Sequence, residues 1–246
     1  PAHVKLALEE PFEPTWQSKC GTYVHALMLE PGSPLPGIAM QPDVYGEDNK
    51  KWTYAAKECK AWRTAQEAAG NTVLKRDEID AIRGMVSSII NRCGDVFKDG
   101  CPEVTIIGKV LAWDIDTKCR IDWLTPGRNL YDIKTCRDAS DRGFFRDAYA
   151  AGYHMQAAWY LDNYNVHCGA GDLKESFTFV VVENTPPYAC RLLECSADYI
   201  AKGREDYEKW LGCYAQYAAR KAWPEYEDGF LELPRWATND EWRMLL

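Results

Sequence analysis

The sequence predicts an α/β domain, a central mixed β-sheet with an antiparallel meander, flanked by helices. Three observations predict it. Runs rich in Val, Ile, Phe and Tyr recur at 103–114, 119–124, 129–135, 176–183 and 189–195, the composition of strands. Apolar residues return at helical spacing over 18–29, 51–69, 75–93, 143–162 and 196–220. The order runs from helices to three closely spaced strands, one long helix, two strands and a last helix, which suits a sheet layered with helices.

Taken in order, helix 18–29 places Tyr23, Val24, Ala26, Leu27 and Met28 around a single His25. By itself such a histidine reads as a core or interface residue. Segments 51–69 and 75–93 complete the helices before the meander. Its strands, 103–114, 119–124 and 129–135, are joined by short turns at Asp116-Thr117 and Pro126-Gly127-Arg128, so they run antiparallel. Segment 143–162 reads as one helix on which Tyr149, Tyr153, Gln156 and Tyr160 share a face. Aromatic residues at that spacing read as core, Tyr149 most clearly, whereas a buried Gln156 would need its hydrogen bonds met. Two strands and helix 196–220 follow.

The 246 residues suffice for one domain, 1–246, with a substantial core. No stretch reads as a linker, and Pro31 to Gly46 reads as a surface loop. No apolar run approaches the ~20 residues that span a bilayer, and no signal-peptide pattern opens the chain, so a cytoplasmic protein without membrane association is expected. The first residue is Pro1 rather than Met, as if an upstream segment had been removed. Ten cysteines occur without a C-x-x-C pair. Zinc sites are built on tight ligand pairs, so scattered free thiols in a reducing compartment are the better reading.

The net charge of −8 argues on its face against nucleic acid. Its distribution changes that. Between Lys118 and Arg146 lie seven basic residues, Arg120, Lys134, Arg137 and Arg142 among them, and four acidic ones. The segment is therefore +3 and the remainder −11. An acidic body with one basic strip can still guide a polyanion to one place.

The strip contains Asp122, Asp132 and Lys134. If the hairpin turns about Gly127, cross-strand partners sum to 254 and Asp122 faces Asp132. Like charges facing each other in a sheet are destabilising and call for a cation. Lys134, two residues past Asp132, points to the same face. Two carboxylates and an ammonium are the equipment of metal-assisted phosphodiester hydrolysis, in which hard oxygen ligands hold Mg²⁺ and a lysine stabilises developing charge. The D-x₉-D-x-K pattern alone fits an ordinary salt-bridged surface hairpin as well, and a one-residue slip of register would separate the carboxylates. Asp114-Ile-Asp116 has a similar look but leads into a turn, where Asp is favoured for backbone reasons.

Longer motifs carry a resemblance. Gly21-Thr-Tyr-Val-His25-Ala-Leu-Met-Leu-Glu30-Pro31, Cys119-Arg-Ile-Asp122-Trp, Tyr131-Asp132-Ile-Lys134-Thr135, Gly152-Tyr153-His-Met-Gln156-Ala-Ala-Trp-Tyr160, Glu183-Asn-x-Pro-Pro187, Trp223-Pro224-x-Tyr226 and Leu233-Pro234-x-Trp236 span nearly the whole chain. Together they resemble the exonuclease VIII (RecE-type) nuclease domain, a RecB-like branch of the PD-(D/E)XK superfamily with its restriction-endonuclease-like core. Pro1-Ala-His-Val resembles that family's N-terminal segment with its serine gone. Asp132 stands where the superfamily motif more often has Glu, with the same ligand atoms on a shorter arm. The resemblance implies Asp122, Asp132 and His25 as metal-site residues, Lys134 as the catalytic lysine, and Gln156 and Tyr160 lining the active site. Glu103, at the start of the meander, is a further candidate ligand, or else an exposed strand-edge residue. Arg120, Arg137, Arg142 and Arg146 are candidates for phosphate contacts. Mg²⁺ is the implied cofactor, with Mn²⁺ as substitute. The implied activity is 5′→3′ digestion of linear double-stranded DNA from its ends, leaving 3′ single strands for recombination. The implied partners are a single-strand annealing protein and further copies of the chain in a ring, most simply a tetramer, in a bacterial or phage-encoded setting. A structure-specific endonuclease and a catalytically silent DNA-binding module are the competing readings.

Overall fold

The computed structural model describes residues 2–9, 16–30, 37–168 and 171–232. Pro1, Pro31 with the first part of the Pro/Gly loop, and the Leu233-Pro234-x-Trp236 motif lie outside them. The elements in chain order are α1 (Ala2–Glu9), α2 (Trp16–Leu29), β1 (Ile38–Met40), β2 (Val44–Tyr45), β3 (Lys50–Lys51), α3 (Lys57–Ala68), β4 (Thr72–Leu74) and α4 (Arg76–Cys93). They continue with β5 (Cys101–Val110), β6 (Ile115–Leu124), β7 (Asn129–Cys136), α5 (Asp141–Ala150), α6 (Tyr153–His167), β8 (Ser176–Glu183), β9 (Cys190–Glu194) and α7 (Ala197–Arg220). Contacts divide the chain into two units, Glu13–Gly212, and Pro1–Phe12 with Cys213–Leu246. In the smaller unit the Ala2 N–H donates to the Pro224 carbonyl and His3 lies against Tyr226.

The larger unit is built on a five-stranded sheet in the order β5-β6-β7-β8-β9. β5, β6 and β7 form the antiparallel meander, β8 runs parallel to β7, and β9 returns antiparallel. Parallel neighbours need a crossover, and α5 and α6 supply it. The interior strand β8 reads Ser-Phe-Thr-Phe-Val-Val-Val-Glu and is buried along its length but for its two ends, because helices cover both faces. Val180 and Val182 point to one face, with Ile133, Trp123, α2 (Tyr23, Val24) and α4 (Ile82, Met85, Ile89). Phe177, Phe179 and Val181 point to the other, with Leu130, Ile121, α5 (Phe144, Ala148) and α6 (Ala157, Leu161). Each fully buried side chain of this size contributes roughly 1.5–3 kcal/mol, so the two clusters hold the sheet and its helices in register.

Several boundaries differ from expectation, each for a local reason. Helix 51–69 begins only at Lys57, because Lys50–Lys51 pair with β2 and the Thr53 hydroxyl accepts the Ala55 N–H in a turn. The first meander turn falls at 111–114 rather than Asp116-Thr117. A short 3₁₀ turn, Leu111–Trp113, leads into Asp114, whose φ of +52° reverses the chain. Asp116 and Thr117 belong to β6, opposite Lys109 and Gly108. The long helix 143–162 is two helices, α5 and α6, because Gly152 adopts φ +74°, a left-handed value that suits glycine. Tyr149 is therefore on a different helix from Gln156. It is not core but 54% exposed, stacked on His154.

Two close contacts fix the β6–β7 turn and the α6–α7 packing. Lys174, its side chain wholly buried, donates to the Thr125 and Gly127 carbonyls at 3.0 and 2.8 Å and pairs with Asp172, clamping the β6–β7 turn. Gly203 of α7 lies so close to α6 that a Cβ there would meet the His154 carbonyl oxygen at 1.9 Å. No helix among the described residues is long and apolar enough to cross a membrane, and all ten cysteines are free thiols.

Candidate active site

The site forms where the meander comes apart. The β6–β7 ladder follows the expected sum of 254, but only as Leu124↔Leu130 and Trp123↔Tyr131. The next pair, Asp122 with Asp132, does not form. The Asp122 carboxylate instead enters the gap and accepts the Ile133 N–H through Oδ2 at 2.8 Å, standing in for a backbone carbonyl. Across the other edge of β6, the β5–β6 pairs run without a break except at Glu103, the position opposite Asp122. Glu103 has φ +52°, costly for a residue with a side chain. The inward positions of β6 change face at this point, since Ile121 joins the α6-side cluster and Trp123 the α2-side cluster. A carboxylate opening one ladder and a left-handed residue interrupting the other bring two acidic side chains from adjacent strands together.

Helix α2 adds His25. Its Nε2 lies 2.8 Å from the Ile133 carbonyl oxygen, an acceptor only, so Nε2 carries the hydrogen. Burial pushes the imidazole pKa below its ordinary value, so the ring is neutral and Nδ1 is a bare lone pair. That nitrogen faces Asp122 Oδ2 at 3.4 Å. Two lone pairs in that position repel unless a proton or a cation lies between them. Burial, and then the charge of Asp132, raises the Asp122 pKa to about 8, so without a cation Asp122 keeps a proton at neutral pH. His25, Glu103 and Asp122 each offer a ligand atom, and these lie within 4.8 Å of one another. One imidazole nitrogen and two carboxylate oxygens fit a hard divalent cation with a borderline tolerance for nitrogen, such as Mg²⁺ or Mn²⁺.

Asp132 and Lys134 lie on the α6 side. Asp132 is almost completely buried. Its Oδ1 accepts the Gln156 amide at 2.6 Å, and its Oδ2 is paired with the Lys134 ammonium. Asp132 is not among the three residues whose ligand atoms lie within 4.8 Å of one another. Burial works against the Lys134 charge, but Asp132 and Asp122 outweigh it and hold the lysine pKa above its ordinary value. The ammonium also rests 4.8 Å over the Tyr153 ring. Burial raises the Tyr160 phenol pKa above its ordinary value.

The expected residues thus divide. His25, Glu103, Asp122, Asp132, Lys134, Gln156 and Tyr160 come together. Arg120, its side chain largely exposed, pairs with Glu103 at 2.6 Å. Arg146 pairs with its neighbour Asp147, whereas exposed Arg137 and Arg142 have no acidic partner among the described residues. Tyr153 is the contact that sequence reasoning passed over. Its place three residues before Gln156 in the Gly152-Tyr153 motif was the available signal. Nothing in the sequence pointed to the left-handed Glu103 or to the Lys174 clamp.

A helix-flanked sheet whose splayed central strands carry Asp-x₉-Asp-x-Lys defines a domain of the PD-(D/E)XK class. The chain belongs to the family described as PDDEXK-like domain of unknown function (DUF3799), which matches residues 2–230. Among solved structures it is similar to a candidate exonuclease from Eubacterium rectale, with a TM-score of 0.60 and 13% identity over 89% of this chain and 73% of that one. At that identity the likeness concerns the fold alone. An alkaline exonuclease from Laribacter hongkongensis matches with 16% identity over 76% of this chain and 93% of that one, but its TM-score of 0.30 is too low to bear on the site. No curated protein matches the sequence.

Proposed function

We propose that the protein is a Mg²⁺-dependent exodeoxyribonuclease acting on linear double-stranded DNA, with Mn²⁺ able to substitute. The observation that carries the reading is the convergence of His25 Nδ1, Glu103 and Asp122 within 4.8 Å beside the buried Asp132–Lys134 pair. Bound by those three, the cation would polarise the phosphoryl group and activate a water. The chain's own groups do the rest. His25 presents a bare nitrogen because Ile133 holds its other one. Lys134 is kept charged by Asp132 and aimed by the Tyr153 ring, so its ammonium meets negative charge as it develops. Gln156 fixes Asp132, and through it the lysine.

Action from ends, 5′→3′ polarity, a 3′ single-stranded product passed to an annealing protein, and a ring of four copies are proposed on the family resemblance. A ring would let the basic strips of several acidic protomers face one channel.

The test is digestion of end-labelled linear duplex beside covalently closed circular DNA, each with Mg²⁺ and with EDTA, by wild type and Lys134→Ala. Loss of linear duplex alone, only with Mg²⁺ and only by wild type, is the expected result. Cutting of closed circles would make it an endonuclease. Duplex binding without cleavage would make it a binding module.

A further inference from the structure

Helix α5 has an outer face that the chemistry above does not use. Gly143, Phe144 and Ala148 are buried against the sheet. Arg142, Phe145, Arg146 and Tyr149, at i, i+3, i+4 and i+7, share the opposite side. Phe145 and Tyr149 leave 53% and 54% of their surface in water, although rings of that size bury readily. Beside them opens a cavity of about 380 Å³ walled by Phe145, Tyr149, Phe179, Leu193, Cys195 and Tyr199. That volume lies within the roughly 300–1,000 Å³ of sites that hold small organic groups.

The cavity adjoins the catalytic strands. Its Phe179 wall lies 5.8 Å from Lys134 Nζ and packs on Tyr153, whose ring carries the same ammonium. Its rim is electrostatically mixed. Asp141 is held by Arg191 at 2.8 Å and Asp147 by Arg146 at 2.9 Å. Glu194, a lining residue, has no such partner among the described residues, and neither has Arg142, which stands outside the lining, three residues before Phe145 on α5. Aromatic walls beside one uncompensated arginine of the same helix suit a flat π-system attached to an anion. Beside a phosphodiester-cutting site, that ligand is a nucleotide of the substrate strand.

We infer that the α5 cavity receives an unpaired nucleobase of the DNA strand near the site of cleavage, stacked on Phe145 or Tyr149 with its phosphate toward Arg142. The inference rests on the nuclease reading and names the form of substrate that site takes, a locally unpaired end rather than intact duplex. Every base has a π-face, so the cavity accepts all four.

The experiment measures binding in EDTA, where no cleavage occurs. The probes are fluorescent duplexes ending in a three-nucleotide unpaired tail, either of ordinary nucleotides or of abasic tetrahydrofuran residues with the same phosphates. Wild type is expected to bind the base-bearing tail about tenfold more tightly, in line with the worth of base–aromatic stacking. Phe145→Ala and Tyr149→Ala are expected to reduce that preference toward unity. Phe145 is solvent-facing, so its truncation leaves the core intact, and circular dichroism of each variant checks the fold. Equal binding of both tails by wild type overturns the inference, as does a full preference retained by both variants. Mg²⁺-dependent digestion by wild type is run alongside. Digestion without base preference removes the cavity's role and leaves the nuclease, whereas neither digestion nor binding removes both.

Discussion

Cation binding at the His25–Glu103–Asp122 group is coupled to a proton, and the coupling can be counted. Asp122 has its pKa pushed up to about 8, by burial first and then by Asp132. At pH 7 it therefore keeps a proton. A cation between Oδ2 and His25 Nδ1 requires the carboxylate form. His25, held neutral by burial, has no proton to release. Binding of Mn²⁺ at pH 7 is thus expected to release close to one proton. Affinity should rise by about tenfold per pH unit below 8 and level off above it. Titration calorimetry in two buffers of different ionisation enthalpy measures the proton count directly, and Asp122→Asn should abolish it. Stability follows with a definite sign. The folded state holds this proton between the ordinary carboxylate range and pH 8 while the unfolded state has lost it. In EDTA, stability should therefore fall as pH rises through that window, by on the order of 1 kcal/mol per unit. Mn²⁺ should remove the decline. Binding of Mn²⁺ with no proton released at pH 7 would refute the geometry argued for Asp122.

Three further outcomes follow from the packing. Gln156→Leu strips Asp132 Oδ1 of its donor. It should lower the rate of Mg²⁺-dependent digestion by at least about tenfold, consistent with a lost buried hydrogen bond to a charge of roughly 1.5–3 kcal/mol, while leaving duplex binding in EDTA unchanged. Lys174→Ala leaves two carbonyls of the β6–β7 turn and Asp172 without their donor and should cost about 1–3 kcal/mol in urea unfolding. Gly203→Ala forces α6 and α7 apart at a 1.9 Å approach. It should destabilise by about 1–3 kcal/mol, read as a lowered melting temperature.

The element order and the composition of the sheet were legible in the sequence, because strand composition and helical spacing are local properties. Asp122, Asp132 and Lys134 were legible as well, since the short loop around Gly127 sets their register and the two-residue period sets the face of Lys134. His25 and Gln156 could be assigned only through longer motifs. Alone, each resembles any polar residue on an apolar helix. What the tertiary structure decided is how these groups meet. The Asp122–Asp132 pair is replaced by a carboxylate inserted between strands, Glu103 turns into the site on a left-handed backbone, and Arg120 pairs with Glu103. Gly152 divides a helix that periodicity had joined, and Lys174 closes the turn from 47 residues beyond Gly127. A sequence pattern records which face a side chain can take. Whether a ladder closes or opens depends on what is packed against it, and here α2, whose His25 holds the Ile133 carbonyl, and α6, whose Gln156 holds Asp132, flank the opened strands.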